Sequence, residues 1–191
     1  MKEINNPPQG QVVVEPTAVR TAQPRVPLRQ RRWFRWTTDL LLVAVVYLGV
    51  RAYQQRDVAS GPAPQLAGAC VSGAAVDLAD YRGKPLMVHF WATWCGVCKL
   101  EQHNVVALAE DLPVVTVASR SGSRAQVAGY LEERPMGAPV VIDPEGKLAR
   151  RFGVRAYPTT FVLDGEGDIR HVEVGYTSEL GLRLRMWLAG L

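Results

Sequence analysis

Two cysteines separated by two residues, Cys95-Gly96-Val97-Cys98, lie inside the run Phe90-Trp91-Ala92-Thr93-Trp94-Cys95-Gly96-Val97-Cys98-Lys99. The chemistry open to such a pair is dithiol–disulfide exchange. One thiolate attacks a disulfide sulfur, and the second thiol resolves the mixed disulfide that forms. Position assigns the roles. A mostly apolar run, Pro85–Trp91, ends in a turn, and a helix is expected to start at Cys95. Free N–H groups and the macrodipole at a helix start favour an anion, so the thiolate of Cys95 is favoured there. Cys98 falls one helical turn later, close enough to attack a mixed disulfide at Cys95. The expectation is an exposed nucleophile, Cys95, and a buried resolver, Cys98, with Trp94 as a supporting neighbour.

Other uses of the pair fit less well. Zinc usually wants four ligands, and only His89 and His103 lie nearby to add to the two cysteines. A c-type haem site would need His after Cys98, where Lys99 stands. A peroxide-reducing cysteine normally follows T-x-x directly, and neither Cys95 nor Cys98 stands three residues after Thr93. A soft Cu(I) site on two thiolates needs fewer ligands. Copper binding without redox turnover is therefore the second functional reading. No prosthetic group and no resident metal are implied. The remaining cysteine, Cys70, lies outside any motif and reads as a small buried hydrophobe. Three cysteines in 191 residues are too few for a disulfide-stapled scaffold.

The elements that must hold the dithiol follow from patterning. Pro85–Trp91 and Pro113–Ala118 read as strands buried on both faces. The dithiol helix should run from Cys95 to about Glu110. Ala74–Leu78 and Val140–Ile142 read as short strands. Ser123 and Gln126 form a capping box ahead of a helical stripe of Val127, Tyr130 and Leu131. Asp143-Pro144 is expected to open a short helix as N-cap and first helical residue. Thr160–Leu163 and Ile169–Val174 flank Asp164-Gly165-Glu166-Gly167, a hairpin signal. Thr177 is expected to cap a last helix with Leu180, Leu184, Trp187, Leu188 and Leu191 on one face. This order predicts an α/β domain over 66–191 with a mixed central sheet flanked by helices.

The N-terminal third differs in kind. Residues 1–38 hold seven Lys/Arg against two Asp/Glu, a net of +5, and residues 39–191 hold 15 against 16, a net of −1. A folded part so close to neutral argues against nucleic-acid binding. The basic charge instead reads as a topological signal. Residues 1–35 are expected to form a disordered cytoplasmic tail ending in Arg29, Arg31, Arg32 and Arg35. The uncharged run Leu40–Val50 follows, so 36–53 is expected to be a transmembrane helix of about 27 Å, at about 1.5 Å per residue. That just suits a hydrocarbon core of about 30 Å once Arg51 snorkels. The arginines predict an N-terminus in the cytoplasm and a periplasmic C-terminal domain on a single-pass inner-membrane anchor. A cleaved signal is disfavoured by the long tail and by the lack of a small-x-small site. Residues 54–65, ending in Gly61-Pro62-Ala63-Pro64, read as a linker.

Phe90–Lys99 together with Gly153-Val154-Arg155-Ala156-Tyr157-Pro158-Thr159-Thr160-Phe161 resembles the thioredoxin superfamily. The likeness covers about residues 64–191. More narrowly, it is similar to the membrane-tethered TlpA/ResA-like branch of thiol–disulfide oxidoreductases and to ScsD-like suppressors of copper sensitivity. The resemblance implies a thioredoxin-like fold and exchange with protein thiol or disulfide substrates. It also implies a membrane electron-transfer partner, or another thioredoxin-fold protein, that resets the dithiol. It makes Pro158 a cis proline facing the dithiol, with the backbone of Tyr157 offered to substrate. His89 stands where thioredoxins bury an aspartate, and is expected to act as a base toward Cys98, with a pH step near neutrality. Glu101 matches a glutamate common in the branch three residues after the second cysteine. Val97 replaces a frequent proline. Thr159 replaces the glutamate common in cytochrome-maturation reductases.

Overall fold

The structure is a computed structural model that describes residues 28–55 and 58–191. The chain divides into two units, Met1–Ala44 and Val45–Leu191. The expected tail lies mostly outside the described residues. Helix α1 runs over Leu28–Gln55, opening eight residues before the expected start at Trp36. No proline or glycine interrupts 28–48, and Leu, Arg and Gln propagate helix well. Residues 28–35 are therefore helical and not part of a disordered tail. Among the described residues no helix is long and apolar enough to cross a membrane. Asp39 and Arg51 bound an uncharged stretch of eleven residues, 40–50.

The mixed sheet is six-stranded, in the order β1-β8-β7-β4-β5-β6, beside a two-stranded β2-β3 ribbon. Its strands are β1 (Gly61–Pro62), β4 (Leu86–Trp91), β5 (Val114–Ser119), β6 (Val140–Asp143), β7 (Thr159–Leu163) and β8 (Asp168–Val174); the ribbon joins β2 (Ala67–Ala69) to β3 (Ala75–Asp77). β4, β5 and β6 run parallel, and β7 lies antiparallel to β4 on its other side. All six residues of β4 and all six of β5 are buried, which explains their near-continuous apolar sequences. Successive β4 side chains enter opposite cores. Met87 and Trp91 join a cluster with Val105, Val127, Leu182 and Met186, drawn from helices α2 (Gly96–Ala109), α3 (Arg124–Glu133) and α5 (Glu179–Ala189). Leu86, Val88 and Phe90 join a second cluster with Phe152, Val154 and Phe161, next to helix α4 (Lys147–Arg151).

Four expectations need correction. The linker does not reach Gln65. Ala59 N–H donates to the Phe152 carbonyl, Gly61-Pro62 pairs with β8, and Val58 and Ala63 pack on the second cluster. An edge strand tolerates Pro62 because its missing N–H deprives no neighbour. The helix after β6 starts at Lys147 behind Gly146, not at Pro144. Asp143 ends the strand, and its carboxyl group still accepts from the N–H groups of Leu148 and Ala149. The last helix is capped by Ser178, whose Oγ accepts from Gly181, not by Thr177.

The apolar face assigned to α5 is also turned outward. Leu180, Leu184, Trp187, Leu188 and Leu191 are exposed, and Leu182, Met186 and Ala189 are buried. Two arginines flank the buried face and set the rotation. Arg183 binds Asp111 and Glu179, and Arg185 binds Glu173. Turning the larger stripe inward would break the bonds that leave the helix, from Arg183 to Asp111 and from Arg185 to Glu173.

Candidate active site

The parallel strands β4 and β5 end on the same side of the sheet, and the dithiol lies just beyond β4. The chain turns after Trp91, with Cys95 N–H donating to the Ala92 carbonyl at 3.1 Å. Cys95 is the N-cap of α2, and its Sγ accepts from the Cys98 N–H at 3.1 Å. The sulfur thus occupies the site an N-cap oxygen usually fills, where a negative charge is stabilised. Cys95 and Cys98 are joined in a disulfide. Cys95 is 6% exposed and Cys98 4%, so the nucleophile is barely more open than the resolver. The disulfide folds Cys95 Sγ inward, to 3.5 Å from the Tyr157 carbonyl oxygen.

Tyr157 and Pro158 precede β7, and the bond between them is cis. Trp94 is 62% exposed and stands edge-to-face against the Tyr157 ring, with centroids 5.7 Å apart. The two aromatic residues thus form a rim beside the disulfide. Beneath the rim lies the β5–α3 connection, which sequence reasoning did not single out. Ser121 Oγ accepts from Thr93 N–H at 3.1 Å, the Arg120 carbonyl accepts from the Trp94 indole at 3.0 Å, and Ser119 Oγ accepts from the Tyr157 hydroxyl at 2.8 Å. The available signal was positional. A Ser-Arg-Ser-Gly run at the carboxyl end of a buried parallel strand is where sites of open α/β sheets collect.

Two titratable groups are buried near the dithiol. Glu101, on α2, is fully buried. Its Oε1 accepts from Thr177 N–H at 3.0 Å, and its Oε2 has no hydrogen-bond partner. Burial pushes its carboxyl group up to about 7, against the opposing effect of the Thr177 bond. His89 sits in β4 between Met87 and Trp91, 1% exposed, with Nδ1 2.9 Å from Thr160 Oγ1. Burial alone lowers its pKa to about 4. With the dithiol oxidised, the ring is therefore neutral in the neutral range. Trp91 Nε1 is a second buried polar atom without a partner. Cys70 is also buried, and desolvation raises its thiol pKa above the ordinary value. Among the described residues, no group of three or more His, Cys, Asp or Glu could hold a metal ion. A cavity of about 290 Å³, lined by Tyr81, Arg82, Leu86 and Leu163, opens at the end of β4 and β7 away from the dithiol.

Residues 58–181 match the Redoxin family. The chain is 38% identical over 109 residues to a thioredoxin-like protein of Haemophilus influenzae, covering 56% of this chain and 65% of that protein. It is 32% identical to the thioredoxin-like protein YneN of Bacillus subtilis, covering 74% and 90%. To the thiol-disulfide oxidoreductase ResA of the same organism it is 28% identical, covering 80% and 90%. Among solved structures, the exposed lipoprotein thioredoxin of Streptococcus pneumoniae superposes with a TM-score of 0.61 at 28% identity, covering 65% of this chain and 98% of that one. The thiol:disulfide interchange protein DsbE of Chlorobium tepidum superposes with a TM-score of 0.62 at 27% identity, covering 69% and 98%.

Proposed function

The chain belongs to the redoxin family, within the thioredoxin superfamily, and on that premise we propose that it is a thiol–disulfide oxidoreductase of the ResA/DsbE type that exchanges disulfides with protein substrates outside the cytoplasm. The observation that carries this reading is the seat of Cys95 Sγ. It is the capping group of α2, within 3.1 Å of the Cys98 N–H, and faces the Tyr157 carbonyl at 3.5 Å. The helix start stabilises the thiolate of Cys95, which attacks a substrate disulfide. Cys98 then displaces the substrate thiol and closes the Cys95–Cys98 disulfide. The reverse sequence oxidises a substrate dithiol. The carbonyl of Tyr157, beside Pro158, lines up an extended substrate segment against Cys95. A membrane electron-transfer partner restores the dithiol state.

The 36–53 stretch of α1 serves as a single-pass anchor with the arginine-rich segment on the cytoplasmic side. Its support is the uncharged run 40–50, in which every large side chain is exposed, from Leu40 at 72% to Val50 at 50%. Eleven residues reach about 16 Å, so the residues that flank them in 36–53 complete the span. The pneumococcal relative is an exposed lipoprotein, which agrees with an outward-facing domain.

Trapping tests the exchange reading. Cys98→Ser should accumulate mixed disulfides through Cys95, and Cys95→Ser should abolish exchange. Substrate captured on Cys98 in the Cys95→Ser chain would reverse the roles. A periplasm-active reporter fused after Leu191 should be active, and a cytoplasm-active one silent. The opposite pattern would end the anchored reading.

A further inference from the structure

Asp143 lies at the end of β6, 3% exposed, and every acceptor it offers is used. Its carbonyl accepts from Arg120 N–H at 2.9 Å and from Gly146 N–H at 3.1 Å. Its Oδ1 accepts from Leu148 N–H at 3.1 Å. Its Oδ2 accepts from Ala149 N–H at 3.0 Å and from Ser119 Oγ–H at 2.9 Å. The last of these bonds fixes the direction of a chain. A hydroxyl has one proton. Ser119 gives its proton to Asp143, so only its lone pairs remain for Tyr157. The Tyr157 hydroxyl must then donate to Ser119, at 2.8 Å. Ser119 is fully buried, so water does not compete for either bond.

The same loop also holds the other half of the rim. Arg120 adopts a left-handed backbone conformation, φ 49°, unusual for a residue other than glycine. That conformation is fixed from both sides. Its N–H donates to Asp143, and its carbonyl accepts from the Trp94 indole. Its side chain lies across Gly146, where an added Cβ would come within 2.7 Å of Arg120 Nε. Gly146 itself has φ 68°. Asp143 therefore ties down both halves of the loop, Ser119 and through it the Tyr157 hydroxyl by its carboxyl group, and Arg120 and through it the Trp94 indole by its main-chain carbonyl.

We propose that Ser119 and Asp143 are positioning residues for protein-substrate docking, holding Tyr157 through the chain Tyr157–Ser119–Asp143 so that its carbonyl stays aligned with Cys95. The proposal rests on the exchange function given above. Neither residue reaches the sulfurs, so loss of the chain loosens the docking edge and leaves the dithiol chemistry in place. The effect falls on KM for a protein substrate more than on kcat.

The test uses the full chain, insulin as the disulfide substrate and dithiothreitol to return the chain to its dithiol. Ser119→Ala should raise KM for insulin about fivefold, the net effect of one lost hydrogen bond, with kcat changed less than twofold. Tyr157→Phe removes the same link from the outer end and should raise KM by a similar factor. The double variant should be no worse than either single one, because both break one chain. If Ser119→Ala fails to fold, Tyr157→Phe alone carries the measurement, since its ring and its contact with Trp94 are kept. A parent chain that turns over insulin, with KM unmoved in the folded variants or with kcat falling in place of a KM rise, overturns the proposal alone. Additive losses in the double variant also overturn it. A parent chain that neither reduces insulin nor oxidises a reduced test protein overturns the exchange function and the proposal with it.

Discussion

On one face of β4, Leu86, Val88 and Phe90 meet Phe152, Val154 and Phe161. On the other, Met87 and Trp91 join the cluster that holds Cys95 and Cys98, with His89 between them in the strand. The first face is apolar throughout and closes on three rings. Phe90, Phe152 and Phe161 stand 5.1 to 5.7 Å apart in tilted and edge-on pairs. The second face lies on the dithiol side of the sheet and carries the buried His89. Glu101 Oε2 and Trp91 Nε1 are left without partners, and two titratable groups are held away from their ordinary pKa values. A single strand thus separates stability from chemistry by the alternation of its side chains. The first face tolerates no unpaired polar atom because nothing there uses one. The second keeps two titratable groups, His89 and Glu101, shifted by burial.

The largest expected effect tests whether the faces are separate. Phe90→Ala removes one ring of the triad and should cost about 3–5 kcal/mol of stability, read from urea unfolding. The pH dependence of disulfide exchange in the folded fraction should keep its shape. A loss under about 1 kcal/mol would show that the ring triad does not carry this face's stability, and a displaced pH midpoint for exchange would show that the two faces are coupled.

Glu101 gives the next largest effect, and its sign is fixed by burial. The folded chain holds this proton up to about pH 7, and the unfolded chain releases it near 4.5. Between those values the unfolded state binds fewer protons, so stability falls as pH rises and stays lower above 7. At about 1.36 kcal/mol per unit, the penalty is on the order of 3 kcal/mol. Glu101→Gln keeps an acceptor for Thr177 N–H and has no charge to bury. It should melt higher than the parent at pH 8 and no higher at pH 4. It should also remove a step near pH 7 from the decay of a preformed mixed disulfide. Equal melting shifts at both pH values would show that the carboxyl group is not buried in its charged form.

The sequence made the dithiol, its helix and the central strands legible, because each rests on a local rule. Cys95 and Cys98 are spaced for one helical turn, and Leu86–Trp91 is apolar on both faces except at His89. Pattern alone failed where a long-range bond decides the outcome. The outward stripe of α5 looked like a core face, but Arg183 and Arg185 fix the helix by reaching Asp111 and Glu173. Asp143 looked like an N-cap for the next residue. It accepts from N–H groups of α4 five and six residues away, and is also tied to Ser119. The rim around Cys95 was half visible, in Trp94 and Tyr157, and half hidden, since Ser119–Ser121 acts through contacts 28 and 38 residues apart in sequence.

His89 yields the smallest effect and the sharpest contrast with Glu101, because the two linkages oppose one another. In the folded chain the ring stays neutral down to about pH 4, and in the unfolded chain it takes a proton near 6.5. Between those values the unfolded state binds more protons, so this group makes stability rise with pH, and the rise is complete above 6.5. Glu101 makes stability fall over 4.5 to 7. Across the shared interval, 4.5 to 6.5, the two slopes cancel in large part, so the parent's pH profile should be nearly flat there. His89→Asn removes the rising slope and exposes the falling one, and Glu101→Gln does the reverse. At pH 8 the Asn variant should lose only about 1 kcal/mol, the net worth of the bond to Thr160. Its mixed-disulfide decay should keep the step near pH 7, because a ring already neutral there has no proton to give up. Melting curves of the parent and both variants from pH 4 to 8 decide the matter. A parent profile that rises steeply through pH 6, or a His89→Asn chain that loses the step near 7, would return the proton-handling role to the imidazole and take it from Glu101.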